Sequence, residues 1–362
     1  MRILKFITLA VLAASSAISC TSAENEPKEL KPVPDNPVVE DPKPEPGSTG
    51  KIVVGYVTSW SDHDVKPEYV THINYAFGHV QPSFRSIRID NAERMKVMIA
   101  LKKQAPHLKV LLSIGGWGSG NFSEMAADSE NRLAFAADCR RVIDEYSLDG
   151  IDIDWEFPTS SAAEISSSPD DTKNYTLMMR DIRQAIGTDK LLTLATVCSG
   201  DYIDFNDIMP YVDFVNIMAY DMENPPKHNA PLYQSSKHGG WINCDKAVKA
   251  HIAKGVPASK LVLGMPFYGH GRDIYENFTD FKNVKVPNGY IACWDDEAMV
   301  PYVTDKDGRF VLSYDDARSI GLKCDYLLEA GMLGAMFWDD AGDDSNHTLH
   351  KTIANKLFVQ SK

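Results

Sequence analysis

The sequence predicts a closed (β/α)8 barrel, an α/β TIM barrel, over residues 51–362, with a short α+β-type insertion after its seventh strand, residues 270–313. Three observations carry that prediction. From Lys51 onward, short β-branched runs alternate with longer amphipathic segments. The runs are almost continuously apolar, as strands of a parallel sheet covered on its outer face must be, and there are eight of them. An open doubly wound sheet is the alternative, but no glycine fingerprint follows the first run.

The first twenty residues stand apart from that pattern. Arg2 and Lys5 give a positive start, Phe6 to Ala14 form an apolar run, and Ala17-Ile18-Ser19-Cys20 follows small-residue cleavage logic. The run is too short to span a bilayer. Cysteine directly after a small residue resembles a bacterial lipoprotein processing site, with Cys20 as the lipidated N-terminus, although Ala17 stands where a larger aliphatic residue is usual. The expected location is therefore membrane-anchored, at the cell surface or in the periplasm, with simple secretion as the alternative. Residues 21–50 hold seven prolines and no aromatic residue. Such a segment cannot bury enough apolar surface to offset its ordering entropy, and it reads as a disordered, extended linker.

The eight runs are Ile52–Thr58, Ile73–Phe77, Lys109–Ile114, Gly150–Trp155, Leu191–Val197, Phe214–Ala219, Lys260–Pro266 and Gly334–Phe337. Helical spacing fills the intervals, as where Phe135, Cys139, Val142 and Tyr146 recur at i, i+4, i+7 and i+11. One interval breaks the rhythm. Between Tyr268 and Tyr314 lie Tyr275, Phe278, Phe281, Tyr290, Trp294 and Tyr302 among turn formers. Loops after barrel strands line the mouth, so this insertion should build one wall of a cleft.

A net charge of −13 argues against nucleic acid or an anionic membrane surface as partner. Beyond Cys20, Cys139, Cys198, Cys244, Cys293 and Cys324 show neither metal-ligand nor redox spacing and read mostly as buried small hydrophobes. No metal, no cofactor and a monomer are the expectations.

The chemistry concentrates in Asp149-Gly150-Ile151-Asp152-Ile153-Asp154-Trp155-Glu156. Side chains alternate along a strand, so Asp152, Asp154 and Glu156 share one face, spaced roughly 6–7 Å apart, while Ile151, Ile153 and Trp155 point outward. Three carboxylates in such a column are costly unless one holds a proton at neutral pH, and a protonated carboxyl beside an ionised one is the arrangement of general-acid chemistry. A calcium loop would need glycine at its sixth position, and isoleucines fill the gaps instead.

This segment resembles the Asp-Gly-x-Asp-x-Asp-x-Glu signature of glycoside hydrolase family 18, the chitinases and their relatives. Ser113-Ile114-Gly115-Gly116-Trp117 is similar to that family's Ser-x-Gly-Gly run, and Met218-Ala219-Tyr220-Asp221 to its Met-x-Tyr-Asp motif. His228–Tyr233, Pro266-Phe267-Tyr268-Gly269 and Trp338 extend the likeness. The resemblance implies a substrate-assisted, retaining glycosidase. It makes Glu156 the acid and then the base, Asp154 the group orienting the substrate's acetamide, Asp152 its proton-sharing neighbour, and Tyr220 the clamp on the acetamide oxygen. It makes Trp338 the floor under the reacting sugar, with Tyr56, Phe77, Gly116, Trp117, Met218, Asp221 and Tyr268 as further substrate contacts.

The implied substrate is β-1,4-linked N-acetylglucosamine in chitin or chitooligosaccharides. Two alternatives stay open, an endo-β-N-acetylglucosaminidase acting on N-glycans and a non-catalytic lectin-like binder of chitooligosaccharides. One departure stands out: the family's arginine position holds His270, with Arg272 two residues on. A histidine cannot copy the planar guanidinium fork.

Overall fold

A computed structural model describes residues 45–359. The leader, Cys20 and most of the linker lie outside the described residues. The chain forms β1 (Ile52–Thr58), β2 (His72–Val80), β3 (Ile87–Ile89), α1 (Ala92–Ala100), β4 (Lys109–Gly115), α2 (Phe122–Ala127) and α3 (Ser129–Tyr146). It continues with β5 (Gly150–Asp154), α4 (Asp171–Ile186), β6 (Leu191–Val197), α5 (Phe205–Ile208), β7 (Phe214–Met218), α6 (Cys244–Ala253) and β8 (Leu261–Pro266). Then follow β9 (Tyr268–Gly271), β10 (Thr279–Asp280), β11 (Tyr290–Asp295), β12 (Val300–Asp305), β13 (Phe310–Ser313), α7 (Ala317–Glu329), β14 (Gly334–Trp338) and α8 (Thr348–Phe358).

Eight strands close a parallel barrel in the order β1-β2-β4-β5-β6-β7-β8-β14, and β14 pairs back onto β1 through Ile52 opposite Gly334. These are the eight predicted runs. The second is longer than its β-branched portion, because it bends into an antiparallel hairpin with β3. The fourth stops at Asp154, before Trp155.

The period of two sorts each strand's side chains. Ile151 and Ile153 of β5 face outward into the main core, which packs the strands against the helices, and Trp155 joins them between Phe122 and Tyr175 at ring distances of 5.3 and 5.5 Å. Val54 and Tyr56 of β1 turn inward, forming a second cluster with Phe77, Tyr220, Tyr268 and Met336 inside the barrel. α3 carries the predicted stripe: Phe135, Cys139 and Val142 are buried, and Asp128 caps its start by accepting from Asn131 N–H at 2.9 Å.

The insertion folds as a five-stranded antiparallel sheet ordered β10-β9-β13-β12-β11. Its helical content is one 3-10 turn, Phe281–Asn283. The chain returns from it through a buried ion pair in which Lys323 Nζ of α7 donates to both carboxylate oxygens of Asp315 at 2.7 Å. All five described cysteines are free, with Cys139, Cys198, Cys244 and Cys324 buried.

At the opposite, N-terminal end of the barrel, the entering chain is fastened to the last helix. Ser48 donates to the carbonyl of Phe358 at 2.7 Å, and Thr49 to that of Leu357, satisfying carbonyls that a helix end leaves open.

Candidate active site

The acidic column sits where barrel-strand ends face the mouth. Asp152 is fully buried in the barrel interior and accepts four hydrogen bonds. Tyr56 and Ser113 donate to Oδ2 at 2.8 Å each, and Thr193 and Asn216 to Oδ1 at 2.5 and 3.3 Å. Strand register explains two of these donors, since Ser113 and Thr193 lie directly beside Asp152 on β4 and β6. Burial raises the Asp152 carboxyl, and the four donors oppose that rise by favouring the anion.

Asp154 is buried one step nearer the mouth, and its Oδ1 has no partner among the described residues. No hydrogen bond among those residues joins it to Asp152; the two interact through charge. Burial first, then the charges of Glu156 and Asp152, push Asp154 well above the ordinary carboxylate range. Glu156 follows the strand end and is half-buried. Burial and the charge of Asp221 push it up to about 8. The column thus runs from Asp152, where four donors oppose the effect of burial, to Glu156, pushed up to about 8 at the mouth, which is the asymmetry a general acid needs.

Glycines let the backbone close around this column. Gly116 donates its N–H to the Asp154 carbonyl at 2.9 Å and sits at φ +90°, and a Cβ there would lie 2.6 Å from the Phe77 ring. Any side chain at position 116 would therefore displace Phe77.

Two aromatic tracks border the acids. In the first, Trp338 stacks on Phe77 with centroids 5.6 Å apart and meets Tyr56 at 5.7 Å. Trp60, on the loop after β1, extends it at 6.4 Å from both Trp338 and Phe77. In the second, Trp117 meets Phe157, the neighbour of Glu156 in sequence, which stacks on Tyr202 at 5.5 Å. The exposed flat rings among them, Trp60, Trp117 and Tyr202, suit the apolar faces of sugars.

Tyr220 is buried edge-on to Tyr268, its hydroxyl 3.7 Å from the sulfur of Met336. Met218 packs against the same interior cluster. Asp221 Oδ1 accepts from the Tyr268 hydroxyl and lies 2.7 Å from His270 Nε2. His270 Nδ1 in turn faces Asn277 Oδ1 at 2.8 Å. The histidine, not Arg272, thus occupies the space beside Asp221; the Arg272 backbone N–H is spent on Val311.

The candidate catalytic and substrate-contact residues taken from the sequence all lie in the barrel interior or at this end of it. Trp60, Phe157, Tyr202 and His270's partner Asn277 were not singled out. Trp60 carried a usable signal, an aromatic residue directly after the first strand in Thr58-Ser59-Trp60. Ser113, Thr193 and Asn216 carried none as a set, because only register brings them to one carboxylate.

The family description "Glycosyl hydrolases family 18" matches residues 52–343. The chain belongs to this family. Among its relatives, Chitinase A1 of Niallia circulans is 32% identical over 84% of this chain, and Chitotriosidase-1 of Mus musculus is 32% identical over 87%. The chain spans 58% of the length of Chitinase A1 and 80% of that of Chitotriosidase-1. Of solved structures, a family 18 N-acetylglucosaminidase from Paenibacillus barengoltzii superimposes with a TM-score of 0.77 at 33% identity, covering 85% of this chain and 100% of the other. ChiW from Paenibacillus sp. str. FPU-7, described as a cell-surface-expressed multi-modular enzyme, gives 0.76 at 28% identity, covering 86% of this chain and 43% of the other.

Proposed function

We propose that this family 18 protein hydrolyses β-1,4 bonds next to N-acetylglucosamine in chitin or chitooligosaccharides, with retention and with the substrate's own acetamide as nucleophile. The observation that carries this reading is the graded acidic column, with Asp152 anchored by four donors and Glu156 held up to about 8. Relatives named as chitinases support the substrate class.

In the proposed reaction Glu156 gives its proton to the glycosidic oxygen as the bond to the anomeric carbon breaks. The acetamide carbonyl oxygen closes onto that carbon, forming an oxazolinium. Asp154 accepts from the acetamide N–H, and Tyr220 donates to its oxygen. Glu156, now ionised, removes a proton from water as the water opens the ring on the face vacated by the leaving group. The two displacements restore the original anomeric configuration. Trp338 supplies the floor under the reacting sugar.

Incubation with chitohexaose and, separately, with a high-mannose glycoprotein tests the substrate by mass spectrometry of the products. Shorter chitooligosaccharides from the first alone are the expected result. Released N-glycans would assign the endo-β-N-acetylglucosaminidase reading instead, and binding without cleavage the lectin-like one. A thiazoline analogue of N-acetylglucosamine should inhibit competitively, and failure to inhibit would count against acetamide participation. The proposal includes a lipid anchor at Cys20, so a C20A variant should leave the membrane fraction.

A further inference from the structure

Outside the acidic column, the strongest titratable cluster is an alternating chain of imidazoles and carboxylates beneath the first aromatic track. His63 Nε2 meets Asp340 Oδ2, Asp340 Oδ1 meets His350 Nε2 at 2.9 Å, and His350 Nδ1 meets Asp343 Oδ2 at 2.5 Å. The four residues come from three places: the loop after β1, the turn after β14, and the start of α8. They border a surface cavity of about 290 Å³ together with Lys66, Lys282 and His347.

A buried polar chain of this length is a costly way to pack three elements together. Apolar side chains of similar volume hold such a contact at least as well. What the chain adds is direction, because hydrogen bonds fix the relative placement of the groups they join far more sharply than apolar contact does. The two segments it joins each adjoin one indole of the aromatic track, Trp60 on the loop after β1 and Trp338 at the end of β14. Trp60 lies three residues before His63, is 66% exposed, and has no hydrogen bond among the described residues. Trp338 lies two residues before Asp340. Arg94 also holds the β1 loop, but through Thr58 and Ser61 and the His63 carbonyl, all on the side of α1. The His63 ring is the side chain of that loop bonded to the Trp338 turn.

We infer that His63, anchored through Asp340, His350 and Asp343, is a positioning residue that sets Trp60 against Trp338 and thereby selects substrates long enough to reach Trp60. This rests on the proposed glycosidase reading. A sugar on Trp338 and the bond beside Glu156 are then served without His63, while a sugar one unit further along the track needs Trp60 in place. The protonated state of His350, held up to about 9 by its two carboxylates despite burial, keeps the anchor closed through neutral pH.

The test compares H63A, H63Q, W60A and H63A/W60A on two substrates, a chromogenic N,N′-diacetylchitobioside and chitohexaose. H63A should raise KM for chitohexaose roughly fivefold while leaving both constants for the chitobioside within about twofold. H63Q keeps a side-chain N–H for Asp340 and should restore most of the chitohexaose KM. The double variant should be no worse than W60A alone, since both changes remove one function. Equal effects of H63A on the two substrates, no effect on either, or additive losses in the double variant would overturn the inference and leave the glycosidase reading standing. No turnover of either substrate by the unmodified protein would overturn both.

Discussion

Tyr56 and Asp152 meet across the inside of the barrel, hydroxyl to Oδ2 at 2.8 Å, tying the first strand to the one that carries the acids. Three more donors complete the enclosure of that carboxylate. In D152N an amide NH2 replaces one accepting oxygen and faces donors, so stability should fall by about 1–3 kcal/mol in chemical denaturation. Loss of the Asp152 charge also removes one of the charges that raise Asp154, which should then ionise at lower pH. The acidic limb of the pH–rate profile should move to lower pH. An unmoved limb would reduce Asp152 to a structural role.

Glu156 has no described hydrogen-bond partner to lose, so E156Q should fold with unchanged circular dichroism. Its hydrolytic rate should drop by about 10²–10⁴-fold, the usual contribution of a general acid. In the unmodified protein the alkaline limb of kcat/KM should report loss of the Glu156 proton near its value of about 8. Substantial activity in E156Q would remove Glu156 from the mechanism.

The Tyr220 hydroxyl has only the Met336 sulfur at 3.7 Å as a described partner, a weak contact. Y220F should therefore melt close to the unmodified protein while kcat falls on the order of 10²-fold, as when one transition-state donor is removed. A parallel loss of Tm and kcat would point to packing instead.

His350 is held protonated up to about 9 by Asp340 and Asp343, against the lowering effect of burial, while its unfolded-state value lies near 6.5. The folded state thus binds the extra proton, so this contribution is fully present below about pH 6.5 and disappears as pH rises through about 9. The stability gap between the unmodified protein and H350Q should be larger at pH 6 than at pH 10, by on the order of 2–3 kcal/mol. Urea titrations at the two pH values measure it, and a gap independent of pH would refute the assignment.

Lys323 is fully buried with both nitrogen contacts on Asp315. K323M leaves that carboxylate uncompensated and should cost about 3–5 kcal/mol, whereas K323M/D315L should recover much of the loss. The urea midpoints of the single and double variants decide this.

The barrel was legible because its strands are covered on both faces and therefore written as apolar runs that stand out locally. The acidic column was legible for the same reason, since Asp152 and Asp154 interrupt an otherwise isoleucine-filled strand. What escaped was everything assembled by register or by return of the chain. Ser113, Thr193 and Asn216 become one oxyanion cage only when β4, β6 and β7 are aligned around β5. His63 and Asp340 are 277 positions apart, and nothing near either one marks the other. The antiparallel sheet of the insertion was hidden by its aromatic, turn-rich composition, which fits many short pairings equally well. Trp60, marked only by its place just past the first strand, escaped because exposure is not written in a residue's neighbours.

Ser48 and Thr49 clasp the end of α8 on the face of the barrel away from the acids. The covalent thread from the N-terminus therefore joins the protein at its back. Ser48 and Thr49 therefore take no part in bordering the mouth, and both aromatic tracks lie at the end of the barrel away from them.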